Sequence, residues 1–268
     1  MATALRSVLT DARASAIPQA TGRPTAAGIW AIGRIEARKM LLHPSLLIGM
    51  AFGLFILRGV SGSGGTHLSF IQTMQWLALG SLAGLAIGSV LSANVATLRP
   101  RRSGVQELFG SLPAPAETIT GGLLTGLLIG PAVLATALTA FGWLAFRSDP
   151  DIAPYLNVFL AVQFPLTVTA LGAIGIGVGR WIPSLFGGPI VIIVHIFTPL
   201  IWAIPWIVAS SDVGSAAWHL AYPVAVVTTW IALALARDRR TVWRFAIAAG
   251  ACAVGVAAAL QQVPEGGW

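Results

Sequence analysis

Long apolar runs separated by short, arginine-bearing polar breaks dominate this chain. The runs lie at about Leu41–Leu57, Phe70–Leu98, Gly121–Phe146, Val158–Ile182, Pro189–Ala209, Tyr222–Ala236 and Phe245–Val263. Each approaches the ~20 residues a helix needs to cross a bilayer core; the first and sixth are short and the second long. The pattern predicts an all-α, polytopic membrane protein of about seven transmembrane helices. Trp218 and Tyr222 have the aromatic character of headgroup-level residues, so the sixth run can begin a few residues early.

Composition strengthens this picture. Charged residues make up 9% of the chain, against about 25% in ordinary soluble proteins. A soluble exterior needs far more charge to cover a chain that is 56% hydrophobic. The single cysteine, Cys252, excludes an internal disulfide and a cysteine-based metal cluster. Residues 1–24 are rich in Ala, Ser, Thr and Arg and lack the apolar core of a secretory signal, which predicts a disordered cytoplasmic tail.

A net charge of +7 fits a membrane-surface asymmetry better than a nucleic-acid groove, and no nucleic-acid partner is expected. With the N-terminus inside, cytoplasmic segments hold Arg6, Arg13, Arg23, Arg34, Arg38, Lys39, Arg99, Arg101, Arg102, Arg180, Arg237, Arg239, Arg240 and Arg244. Only Arg58 and Arg147 remain outside. The positive-inside rule therefore predicts a cytoplasmic N-terminus, and seven spans would put Trp268 outside.

The absent chemistry is equally informative. All nine acids, Asp11, Glu36, Glu107, Glu117, Asp149, Asp151, Asp212, Asp238 and Glu265, fall in tails, loops or interfaces of the predicted spans. Ion-coupled transporters commonly relay charge through intramembrane carboxylates, so that coupling is not expected here. The one lysine, Lys39, has no glycine-rich loop before it, so the chain has no Walker A site for ATP. His43, His67, His195 and His219 form no H-E-x-x-H pair, and no G-x-S-x-G elbow is present. No catalytic residue, metal site or resident cofactor is predicted. Energy for any transport must come from a partner.

The break between the second and third runs, residues 99–120, carries the most specific pattern. Arg99, Arg101 and Arg102 leave the membrane together, and Ser103 with Gln106 has capping-box spacing. Val105, Leu108, Phe109 and Leu112 then recur on one helical face, with Gln106 and Glu107 beside them. Pro113 stops the helix after about two turns, too short to stand alone in water. Its stripe either lies on the membrane surface or docks in a groove on a cytoplasmic partner.

The run Arg101-Arg-Ser-Gly-Val-Gln-Glu-Leu-Phe-Gly-Ser-Leu-Pro-Ala-Pro115 resembles the first cytoplasmic loop of ABC transporter permeases of the type-2 exporter class. Glu36-Ala-Arg-Lys-Met-Leu-Leu-His-Pro44 is similar to the same family's N-terminal amphipathic helix. The resemblance implies a six-span permease core, here with one further C-terminal helix, spanning residues 44–268. It implies pairing with a second permease chain, as homodimer or heterodimer, and with cytoplasmic ABC ATPase subunits that bind ATP and Mg. Val105 to Leu112 would then be the coupling helix, the cargo hydrophobic or amphipathic, and the location a bacterial-type cell membrane. The alternatives are a non-transporting scaffold and a passive channel component.

Residues 25–43 are expected to form an interfacial amphipathic helix. Ile29, Trp30, Ala37, Met40 and Leu41 share one sector at 100° per residue, with Arg34 and Arg38 beside it. With Trp30 and the arginines at 99, 101 and 102, these two arginines form the expected interfacial anchors, in contact with membrane lipid. Within the runs, Gly80/Gly84/Gly88, Gly122/Gly126/Gly130 and Gly175/Gly179 repeat every fourth residue, which suits close helix packing. In the fifth run, Pro199 and Pro205 break a segment holding His195 and Thr198. His195 is either a bonded interhelical residue or, with Thr198, Asn94 and Gln163, part of a substrate path.

Overall fold

The computed structural model describes residues 24–62, 83–102, 116–148, 150, 153, 158–197 and 216–262. They form helices α1 (Ala26–Leu41), α2 (Pro44–Gly62), α3 (Ala83–Arg102), α4 (Ala116–Phe146), α5 (Val158–Trp181), α6 (Gly187–Phe197), α7 (Ala216–Asp238) and α8 (Val242–Leu260). No strand occurs among the described residues. Four helices, α4, α7, α8 and the 161–181 stretch of α5, are long and apolar enough to cross a membrane, and α1 with α2 can make a fifth, broken crossing.

Local chemistry explains the helix limits. Thr25 caps α1, its hydroxyl accepting from the Gly28 amide at 3.2 Å, and Arg38 and Lys39 stand in the last turn, where the helix dipole favours cations. The chain then bends by 58°, and Pro44 opens α2 at the position where a missing N–H costs nothing. Helix α3 runs through Pro100 to Arg102, so the predicted break after Leu98 is later than expected. Proline is tolerated there because only the final turn loses a hydrogen bond. In α4, Pro131 lies within a π-helical turn over Leu128–Ala132, which makes room for a ring that would clash with a regular helix. That lets α4 continue for 31 residues, about 46 Å at 1.5 Å per residue.

Glycine decides which helices touch. On α4, Gly122 lies against Ile32 and Gly33, and Gly126 and Gly130 lie against Ala37, so α1 runs parallel to α4 along this stripe. The buried face of α1 is accordingly Gly33, Ala37 and Met40, whereas Trp30 and Ile35 stay exposed. Ser45 and Gly49 of α2 cross Gly88 and Gly84 of α3; a Cβ on Gly84 would sit 2.5 Å from the Gly49 carbonyl oxygen. The Ser45 hydroxyl donates to the Gly88 carbonyl at 3.1 Å, tying the same crossing. Gly80, the first of its repeat, lies outside the described residues.

Helix α5 is the centre of the bundle. Two-thirds of its spanning stretch is buried (67%), against 22% for α8. It runs parallel to α3, with Gly172 against Ser89, Gly175 against Val90, and Gly179 against Asn94 and Thr97. Gly177 on another face receives the indole of Trp230 from α7. Apolar clusters fill the space between: Leu46, Leu85, Leu138 and Val168 on one side, Met40, Leu123, Leu127 and Ile176 on another. Helices α7 and α8 form an antiparallel hairpin at the edge, with Gly255 against Ala225.

The crossings make a direct forecast. Gly84→Val forces branched carbon into the Gly49 backbone and should cost about 1–3 kcal/mol, read as a lower melting temperature in detergent. Gly250→Ala, with nothing within 4 Å of the added carbon, should be neutral or stabilise by up to ~1 kcal/mol. Equal effects of the two would mean that the glycine crossing does not hold α2 on α3.

Candidate functional site: a paired charged end and a buried polar face

The end of α3, the start of α4, the ends of α5 and α7 and the start of α8 meet at one end of the bundle, where most of the basic residues lie. Three acids there each bind a partner on another helix. Glu36 of α1 accepts from Lys39 of its own helix at 2.9 Å and from Arg99 of α3 at 2.9 Å. Glu117, in the first turn of α4, accepts from Arg244 of α8 at 2.5 Å. Asp238, the last residue of α7, accepts from Arg180 of α5 and from the Thr120 hydroxyl of α4.

Position sets the cost of each group. Glu117 lies where the helix dipole favours an anion. Asp238 lies at a helix C-terminus, where the dipole opposes it, and its side chain is only 3% exposed, so Arg180 and Thr120 must offset both penalties. Arg244 does more than pair: its Nη1 donates to the carbonyls of Leu235 at 2.5 Å and Arg239 at 3.3 Å, satisfying the end of α7.

The loop carrying the predicted coupling stripe, with Val105, Gln106, Glu107, Leu108, Phe109 and Leu112, lies outside the described residues. Its flanks do not. Arg99, three residues before the end of α3, binds Glu36, and Glu117, second in α4, binds Arg244. Of the expected anchors, Trp30, Arg34, Arg38 and Arg102 are exposed, and the Arg101 side chain is outside the described set.

The residues expected to line a path do not come together at one level. Asn94, Gln163 and Thr167 are all buried, at 1%, 2% and 1% exposure. Asn94 lies at the level of Gly179, against Gly187 and Gly188 where the chain turns into α6. Gln163 stands 16 residues earlier on α5 than Gly179, about 24 Å along the helix axis. Its neighbour one turn on is Thr167, and among the described residues neither the Gln163 amide nor the Thr167 hydroxyl has a hydrogen-bond partner. Ser89, by contrast, donates to the Val168 carbonyl at 3.0 Å, and Thr97 to the Ala93 carbonyl at 2.8 Å. His195 lies on α6 with its side chain outside the described set, and Thr198 lies beyond it.

Sequence reasoning missed the ion pairs and Thr167. The acids were visible at helix ends, but Glu117 and Arg244 are 127 residues apart and Arg180 and Asp238 are 58 apart. Thr167 carried a usable signal, one helical turn from Gln163 on the same face.

Two substitutions separate these groups. Asp238→Asn leaves the partly buried Arg180 beside a neutral amide and should destabilise the protein by about 1.5–3 kcal/mol. Gln163→Leu removes an unbonded buried amide and should stabilise it by about 1–3 kcal/mol. Thermal unfolding in one detergent checks both; a fall in melting temperature for Gln163→Leu would mean the amide is bonded in the native protein.

Comparisons with protein-family models, curated proteins and solved structures give no match to this chain, so sequence pattern and geometry carry the functional reading.

Proposed function

We propose that this chain is the membrane permease subunit of an ATP-driven ABC exporter of the type-2 class, moving a hydrophobic or amphipathic cargo with energy from a separate ATPase. The supporting observation is that both flanks of the loop at 103–115 are bonded to other helices. Displacement of that loop by a partner reaches α1 through Arg99 and Glu36. It reaches the α7–α8 hairpin through Glu117 and Arg244, and α5 through the Thr120–Asp238–Arg180 set. A loop tied to four elements converts a local push into movement of the bundle rather than of one helix end.

In this reading the charged end faces the cytoplasm, where the ATPase subunits and a second permease chain assemble with it. ATP and Mg bind the ATPase; this chain contributes the stripe around Leu108 and Phe109 that receives the motion. Closure of the ATPases shifts α3 and α4, and the bundle alternates between inward-open and outward-open states.

Phe109→Asp puts a charge into the proposed docking stripe. Cargo export should fall at least ~10-fold, the loss expected when a charge is buried in an apolar contact, while membrane insertion is unchanged and the ATPase no longer copurifies. Full export by the variant, or purification from native membranes with no ATPase, sinks the assignment. Nucleotide-independent conductance in liposomes would identify a passive channel instead.

A further inference from the structure

At the charged end, the three acids of the described helices are each occupied: Glu36 by Lys39 and Arg99, Glu117 by Arg244, Asp238 by Arg180. Arg237, Arg239 and Arg240, in the turn from α7 to α8, are exposed and none of them is in an ion pair with these acids. Three guanidinium groups within four residues therefore present charge on one rim that no acid among the described residues pairs.

Exposed apolar side chains stand on both helices next to α7. Trp181 closes α5 at 38% exposure and is followed by Ile182 at 55%. Val242 and Trp243 open α8 at 87% and 55%. The Trp181 indole is fixed between two points of α7: its Nε1 donates to the Leu233 carbonyl at 3.0 Å, and the Arg237 guanidinium lies 5.8 Å from its ring centre. Arg244 lies 5.2 Å from the Trp243 ring. Thr241, the residue before α8, makes no side-chain capping bond.

We infer that the rim at the ends of α5 and α7 is a binding site for an anionic phospholipid, its phosphate held by Arg237, Arg239 and Arg240 and its upper acyl chain laid against Trp181 and Ile182. Guanidinium groups match phosphate oxygens two at a time, and tryptophan occupies the depth between headgroup and chain. A soluble phosphate has the first need and not the second. The apolar surface of Trp181 and Ile182 is what favours lipid. The inference requires only that α5, α7 and α8 lie in a membrane, and stands apart from the exporter reading.

The test uses the full-length protein in mild detergent, with equimolar phosphatidylglycerol and phosphatidylcholine and native mass spectrometry of the retained lipid. Wild type should retain phosphatidylglycerol over phosphatidylcholine by about tenfold, given that each arginine near an anionic surface contributes several-fold. Arg237→Gln/Arg239→Gln/Arg240→Gln should bring the ratio near parity, and the matching triple lysine variant should keep most of the preference. Arg58→Gln/Arg147→Gln removes charge from the opposite end of the bundle and should leave the ratio unchanged. Parity in wild type overturns the inference. So does a comparable loss in this control, which indicates diffuse attraction. So does displacement of the lipid by millimolar glycerol phosphate, which indicates a site for a free phosphate group.

Discussion

Backbone-to-backbone contact at glycine is the constraint on which this bundle rests. In lipid, burying a leucine between helices gains little, because the acyl chains are as apolar as the side chain. What remains is close packing, and close packing is available only where no Cβ intervenes. Gly33 with Gly122, Gly49 with Gly84, and Gly175 with Val90 set three such approaches. Glycine weakens a helix in water, but inside a membrane no solvent competes for the backbone hydrogen bonds. The penalty is smallest where the packing gain is needed most.

Those approaches also bring the charges together. With Gly126 and Gly130 seated on Ala37, α1 lies along α4 deeply enough for Glu36 to meet Arg99. With Gly179 against Asn94 and Thr97, and Gly177 under Trp230, the ends of α3, α5 and α7 are held level, so Arg180 reaches Asp238. The ion pairs do not build the bundle. They lock an arrangement that small residues permit, at the end from which residues 103–115 connect α3 to α4.

The α3–α5 pair carries two buried polar regions. Asn94 is enclosed by glycine backbone at the turn into α6, a tight seat that adding a single carbon at Gly179 would disturb at 2.9 Å from its Oδ1. Gln163 and Thr167 are buried near the opposite end of α5. The Asn94 Oδ1, the Gln163 amide and the Thr167 hydroxyl all have no partner among the described residues, a costly arrangement in any apolar medium.

The helical class, the apolar runs, the glycine repeats and the gathering of arginines at one end were all legible in the sequence. Each is a local property, set by composition or by the 3.6-residue period. Partner choice is not local. Periodicity assigned Trp30 and Ala37 of α1 to one sector, but Gly33, invisible to a hydrophobic count, turned the helix so that Ala37 is buried and Trp30 faces out. Pro131 lies inside the predicted third run, but the π-helical turn that carries α4 past it has no local signature in the sequence. The parallel register of α3 and α5 sets Asn94 and Gln163 at different depths, which neither helix shows alone. Tertiary structure alone decided these points, because register depends on which small residue meets which, and a face can be read from one helix whereas a neighbour requires two.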